Sequence, residues 1–267
     1  MTKTPECRFC YAAPSLQSIK GNFVYGGRGD QHFWKCRSCE MIYLDPPMSE
    51  EDEARFYNSE FEKYMEKRSG ADTDWSGPEK HFLANQREVK RRMPFLEPYI
   101  GKPFDCAPRI PPSGRGRGSA QGKVALEIGC SSGFMLSALK ERGMKVFGID
   151  PSGGFVEYVK AKGIPVYKTL EEFKKEFNSP VDLLIHYYVL EHVRFPVEFV
   201  KEYMKLINDG GAMVFEVPCA SDPLVELYKI PAFDQFYWSI AHHWYFTKES
   251  LSSECNISRF FSLILID

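Results

Sequence analysis

The second half of this 267-residue sequence predicts an α/β fold built on a doubly wound parallel sheet, and three observations carry that prediction. Short apolar runs alternate with amphipathic segments from Lys123 onward. A glycine-containing turn joins the first such run to the first such segment. Loops between the segments are short, as βα units require.

Val124–Ile128 reads as the first strand and Phe134–Arg142 as its helix. Lys145–Ile149, the helix Gly154–Lys162, Ile164–Tyr167 and the helix Leu170–Phe177 follow. Val181–Tyr187 is a fourth strand, Val197–Ile207 a helix and Ala212–Val217 a fifth strand. A sheet of this kind takes its ligand beyond the carboxyl ends of its strands.

Ahead of this region lie three others. Residues 1–48 are rich in Cys, Gly and aromatics, with strand-like runs at Asn22–Tyr25 and His32–Trp34. Residues 49–100 read as helices, opened by Ser49 and Asp52 in a capping-box spacing. Residues 101–122 are dense in Pro, Gly, Arg and Ser and read as a linker or flexible loop. The fourth region, 123–267, is the ligand-binding domain. Its last stretch is short and poor in helix formers, and one strand is expected at Phe260–Ile266 as an exposed apolar edge. Such an edge favours dimerisation, so a monomer and a homodimer both stay open.

Composition narrows the function. A net charge of −2 disfavours general nucleic-acid binding, which usually needs a basic excess. No apolar stretch approaches the roughly 20 residues of a membrane span. The first residues lack a signal-peptide core, so a cytoplasmic protein is expected, in which cysteines serve as thiols or metal ligands.

Cys7-Arg-Phe-Cys10 and Cys36-Arg-Ser-Cys39 form two C-x-x-C pairs. Four thiolates close the tetrahedral shell of a structural zinc site, and such a zinc would fold a segment too small to hold itself together. A redox C-x-x-C would need a preceding strand and a following helix, which this region does not offer. A zinc-ribbon module is expected over residues 1–48. Cys106, Cys130, Cys219 and Cys255 lack metal spacing.

The strand-to-helix turn reads Glu127-Ile128-Gly129-Cys130-Ser131-Ser132-Gly133-Phe134. Gly129 and Gly133 let the backbone approach a ligand. One strand later, Asp150 and Pro151 follow the apolar run, and an acid there hydrogen-bonds the ribose of an adenosine ligand. A dinucleotide site wants G-x-G-x-x-G, but Ser131 stands at the second glycine, and Glu127 would repel a pyrophosphate. A cationic ligand end would tolerate Glu127. Tyr158 and Lys162 imitate the Y-x-x-x-K pair of short-chain dehydrogenases, but they follow the second strand and read as helix surface.

Together these residues resemble a class I S-adenosylmethionine-dependent methyltransferase. Glu127, Gly129 and Gly133 fall in register with its first motif, and Asp150 on its ribose-binding acid. Tyr188-Val189-Leu190-Glu191-His192-Val193 is similar to the family's V-L-E-H run, and Asp209-Gly210-Gly211 to its turn before the fifth strand. The resemblance covers roughly residues 123–251; the family usually closes its sheet with an antiparallel strand pair, so the resemblance implies an incomplete C-terminal edge here. It implies a Rossmann-like sheet, S-adenosyl-L-methionine as cofactor, and a cofactor site drawn from Glu127, Gly129, Cys130, Gly133, Phe134, Asp150, Pro151, His186 and Tyr187.

A cysteine module before this fold and Ala241-His242-His243-Trp244-Tyr245-Phe246-Thr247 behind it resemble C-methyltransferases of nucleotide-linked keto-deoxysugars. By that resemblance His242 matches the active-site histidine. The family's tyrosine three residues earlier falls at Ser239, with Tyr237 as a stand-in. His242 would serve as base, and His243 or Tyr245 would hold a developing enolate oxygen. The expected partner is a small-molecule acceptor, a nucleotide-linked sugar or related metabolite, methylated on carbon or oxygen. Two alternatives stay open: an RNA base methyltransferase using the zinc ribbon as an RNA clamp, and a non-enzymatic scaffold with a degenerate cofactor domain.

Overall fold

A computed structural model describes residues 3–69, 77–100 and 122–252. In chain order its elements are β1 (Gln17–Gly21), β2 (His32–Cys36), β3 (Ile42–Asp45), α1 (Glu50–Arg55), α2 (Phe61–Ser69), α3 (Pro78–Ala84) and α4 (Gln86–Ile100). Then come β4 (Val124–Ile128), α5 (Phe134–Glu141), β5 (Lys145–Ile149), α6 (Gly153–Ala161), β6 (Val166–Tyr167), α7 (Leu170–Glu176) and β7 (Val181–Tyr187). The last are α8 (Pro196–Met204), β8 (Ile207–Glu216), α9 (Pro223–Glu226), α10 (Pro231–Tyr237), β9 (Trp244–Tyr245) and α11 (Lys248–Ser252).

The chain forms two compact units. The first gathers residues 1–56, 188–200 and 216–267; the second holds 57–187 and 201–215.

The second unit carries a five-stranded sheet in the order β6-β5-β4-β7-β8. β4 pairs parallel with β5 and with β7, and β5 pairs parallel with β6. Strand β4 is buried almost throughout, the mark of a central strand covered on both faces. From β4 the chain steps outward to β5 and β6, then crosses back to β7 and β8 on the other side. Right-handed crossovers therefore put α5 and α6 on one face and α7 on the other. The direction of winding reverses between β4 and β7, which is where an open α/β sheet holds its ligand. Register fixes the place: Ile128 at the end of β4 pairs with Ile149 of β5 and His186 of β7.

The first unit is built on an antiparallel sheet in the order β1-β2-β3-β9. Its core is aromatic: Phe33, Tyr43, Trp238, Tyr245 and Phe246 are all fully buried. A Cβ at Gly21 would lie 2.8 Å from the Trp238 indole, so the bulged end of β1 must be glycine for that ring to pack. Helix α1 starts as the sequence spacing predicts, with Ser49 Oγ accepting from the Asp52 amide at 3.0 Å. Glu50, Glu51, Asp52 and Glu53 crowd its first turn, where the helix dipole favours negative charge.

Several sequence boundaries shift. The first strand lies at Gln17–Gly21, before the predicted Asn22–Tyr25, because the pairing with β2 runs from Gln17 opposite Cys36. Strand β3 was not predicted as a strand; its apolar run is buried on both faces and shows no alternation. The helix expected to reach Ile207 ends at Met204, and β8 begins at Ile207, taking Asp209-Gly210-Gly211 into the strand. The 101–122 linker, except for Gly122, and the C-terminal strand and edge lie outside the described residues, as do Cys106 and Cys255. No helix among the described residues is long and apolar enough to cross a membrane.

Candidate cofactor and metal sites

At the end of β4 the chain turns through three left-handed residues: Gly129 at φ 68°, Ser131 at φ 45° and Gly133 at φ 70°. The Gly129 amide donates to Ile149 O at 2.7 Å, which fastens the loop to the end of β5. Gly133 then opens α5 without a side-chain cap, leaving first-turn amides to other acceptors. A Cβ on Gly133 would meet Val159 Cγ1 at 2.9 Å, and one on Gly148 would meet Cys130 Sγ at 2.6 Å. These two glycines let the loop and α5 settle against α6 and β5.

Asp150, at the end of β5, is buried, and its carboxylate accepts from the Ser131 amide at 2.7 Å and the Ser152 amide at 3.0 Å. The acid and the glycine loop are thus one hydrogen-bonded piece, each fixing the position of the other. Pro151 follows it in the turn before α6.

Glu127 is only 2 % exposed, and its Oε2 has no hydrogen-bond partner. Burial pushes its carboxyl well above the usual carboxylate range; the Arg92 charge opposes that shift and the Asp150 charge adds to it. A buried acceptor with an unused oxygen suits a cationic ligand group. Burial, with the charges of Asp150 and Glu127, also pushes the Cys130 thiol up, so it stays neutral. Phe134 is buried at the head of α5.

His186, the last residue but one of β7, is wholly buried and stacked on Phe215 at 4.8 Å, and burial pushes its pKa down to about 3. Next to it, the Arg92 guanidinium lies 4.0 Å from the Tyr187 ring centroid. All nine residues singled out for the cofactor belong to the second unit, on β4, β7, the first residue of α5 and the two turns after β4 and β5.

Two residues of this neighbourhood carried no sequence signal. His81 on α3 has Nδ1 2.8 Å from Ser132 Oγ, and its ring lies edge-on to Phe155. Arg92 on α4 is buried between Tyr187 and Phe134. Both lie far ahead of the glycine loop in the sequence, on helices before β4. Residues 49–100 read as helices in the sequence, with no buried face assigned to either position.

In the first unit the four cysteines come together. Cys7 and Cys39 sulfurs are 3.8 Å apart, and Cys10 and Cys36 sulfurs 3.7 Å. A tetrahedron with arms of about 2.3 Å has edges of about 3.8 Å, so these spacings fit one zinc-sized ion. The two C-x-x-C turns share one geometry. Tyr11 and Glu40, the residues after each pair, both sit at φ 60° and both donate their amides to the first cysteine carbonyl at 2.9 Å. Amides of Phe9, Cys10 and Ser38 point at Cys7 and Cys36 sulfurs. The hydrogen bond with Cys39, and then backbone amides, pull the Cys7 thiol down to about 5; the same contact pushes Cys39 up.

The 239–247 segment belongs to the first unit. His242 is buried, 4.8 Å from the His192 ring and 5.0 Å from the Tyr245 ring. His243 Nε2 meets Glu53 Oε1 at 3.2 Å, and Arg194 bonds the other oxygen of Glu53. Burial pushes the His243 pKa down against the pull of Glu53. The Tyr245 hydroxyl donates to the Tyr237 carbonyl and accepts from the Ser239 amide. Tyr237 donates its own hydroxyl to Cys219 O. The sequence singled out His242, His243 and Tyr245; the Glu53–Arg194 pair that braces His243 was not legible, since its members lie 141 residues apart.

The profile of a family described as a methyltransferase domain matches residues 104–256, more than half of the sequence. The chain belongs to this methyltransferase-domain family. A ubiquinone biosynthesis O-methyltransferase of Caulobacter sp. (strain K31) is 29 % identical over 40 % of this chain and 45 % of its own length. Its counterpart from Maricaulis maris (strain MCS10) is 22 % identical over 56 % of this chain and 59 % of its own. The chain thus spans about half the length of these curated relatives. A solved S-adenosylmethionine-dependent methyltransferase from Archaeoglobus fulgidus is 21 % identical, with a TM-score of 0.44, over 64 % of this chain and 70 % of that one.

Proposed function

We propose that this protein is an S-adenosylmethionine-dependent methyltransferase acting on a small molecule, a nucleotide-linked sugar or a related metabolite, at carbon or oxygen. The observation that carries the reading is the hydrogen-bonded unit of glycine loop and Asp150, with the partnerless Glu127 oxygen beside it, at the winding reversal of the sheet.

Those residues fit the donor by their chemistry. Asp150 would bind ribose hydroxyls, Gly129 to Gly133 would receive the backbone-hugging part of the ligand, and Glu127 would take its ammonium group. His186 and Tyr187 would line the end of β7. When bound, the sulfonium supplies an activated methyl group for in-line displacement. The protein's work is then to orient, exclude water and take a proton from the acceptor.

For the acceptor, His242 is the proposed base. An imidazole can take a proton from the acceptor, which a carbon next to a ketone requires. His243 and Tyr245 hold the segment that carries it, through Glu53 and the Tyr237 carbonyl. An oxygen acceptor is supported by the relatives, which are named O-methyltransferases. A sugar acceptor is supported by the cysteine module joined to the His242 segment. Zinc on Cys7, Cys10, Cys36 and Cys39 would be structural, since four thiolates leave no open position.

The test is product analysis. The zinc-loaded protein is incubated with methyl-labelled S-adenosylmethionine and either a nucleotide-linked keto-deoxysugar or a hydroxylated aromatic. Label in the sugar, lost in His242→Ala, supports the full reading. Label in the aromatic moves the acceptor. Label in neither acceptor, with no S-adenosylhomocysteine formed, overturns it.

A further inference from the structure

We infer that Glu191, His192 and His242 form a second metal site, a two-histidine, one-carboxylate cluster for a first-row divalent cation, separate from the four cysteines. One ligand atom from each lies within 4.8 Å of the others. Three donors that close bracket a point no more than about 2.8 Å from each, so binding at about 2.0–2.2 Å asks for a contraction of under an ångström.

The orientation of His192 fits a ligand. Its Nδ1 lies 2.8 Å from the Ala241 carbonyl. A carbonyl only accepts, so Nδ1 carries the proton and the neutral ring keeps its lone pair on Nε2. A backbone carbonyl on the far nitrogen is the usual support of a metal-binding histidine. That Nε2 is the nitrogen facing Glu191, with Oε1 at 3.9 Å. His242 stands across from it, the two rings nearly perpendicular at 83°.

Burial and access also suit an ion. Glu191 is 1 % exposed and His242 6 %, so an ion held there would be largely shielded from solvent. The His192 side chain keeps 20 % of its surface, which leaves a way in for an ion and its remaining water. All three residues lie in the first unit, and two come from the short turn Leu190–His192. Imidazole with carboxylate suits zinc, iron, nickel or copper better than magnesium or calcium. Coordination would use the lone pair that the proposed base needs, so an ion here would switch His242 off. That consequence rests on the methyltransferase reading; metal binding itself does not.

The test is cobalt(II) titration of the full chain already holding zinc. The expected result is one further equivalent with weak visible bands and no thiolate charge-transfer band in the near ultraviolet. Glu191→Gln and His192→Ala should each weaken it by at least about tenfold, since loss of a supporting group alone costs that much. Hyperfine-shifted ring protons from two histidines in the unmodified protein would support the assignment without any variant. No second equivalent at millimolar cobalt, or a second equivalent unchanged in both variants, overturns it. If the site binds cobalt but no acceptor is ever methylated, the metal inference stands and the proposed reaction falls.

Discussion

Replacing Glu127 by Gln should move folding and ligand binding in opposite directions. The folded protein holds Glu127 buried, with one oxygen unpartnered and its carboxyl pushed well above the ordinary value of 4.5. The sign follows from linkage. A raised carboxyl binds its proton more tightly in the folded chain than in the unfolded one. Its contribution to stability is therefore complete below pH 4.5 and is lost as pH rises through the folded value. One proton limits the slope to about 1.4 kcal/mol per pH unit. Glu127→Gln keeps the shape and removes that slope. Urea melts between pH 5 and pH 8 should show the variant gaining on the parent as pH rises. Binding should suffer, because a hydrogen bond to a charged group contributes about 1.5–3 kcal/mol, or roughly ten- to a hundredfold in Kd for S-adenosylmethionine. Calorimetry in two buffers of different ionisation enthalpy should also show proton release by the parent on binding and none by the variant. An unchanged Kd together with a parallel pH profile would refute the role given to Glu127.

Gly133→Ala should cost about 2–4 kcal/mol in urea melts, from left-handed strain and overpacking on Val159. Gly133→Ala with Val159→Ala should recover part of it, and a neutral single variant would contradict the packing. His186 works with the opposite sign to Glu127. Its lowered pKa of about 3 gives stability that is complete above 6.5 and lost as pH falls, roughly 3 kcal/mol by pH 4. His186→Phe should flatten that acid limb of the stability profile while keeping the stack on Phe215; an unaltered limb would contradict it. Stripping metal with a strong chelator, or Cys36→Ser, should remove one zinc and the near-ultraviolet circular dichroism of Trp34, Trp238 and Trp244. Full retention of that signal would argue against a structural ion.

The parts of this molecule that the sequence made legible are those whose physics is local. The β4–loop–α5 turn is written in consecutive residues, because left-handed backbone needs glycine at 129 and 133 and the strand before it is a plain apolar run. The C-x-x-C turns are legible for the same reason. Ser131 shows the limit: the serine keeps the left-handed geometry a glycine would take freely, and its amide is held by Asp150. What stayed hidden depends on long-range pairing. Strand β9 is two residues long and is a strand only because Ile42 and Tyr43 lie opposite it. Its place in the sheet of the cysteine-bearing unit could not be read from a sequence that separates them by two hundred residues. His81, Arg92 and the Glu53–Arg194 pair are likewise ordinary polar residues of helices or loops until the fold supplies their partners. The His192–His242 contact belongs with them: each histidine was noticed alone, and their 4.8 Å approach is a product of the fold.

The most direct test of the account is calorimetric titration of the purified protein with S-adenosylmethionine, with NAD as the competing ligand and Asp150→Ala as the variant. The account predicts one molecule of S-adenosylmethionine per chain, no measurable NAD binding, and a strong loss of affinity in Asp150→Ala, whose parent carboxylate ties the loop through Ser131 and Ser152. Preference for NAD, or S-adenosylmethionine binding indifferent to Asp150, would contradict it.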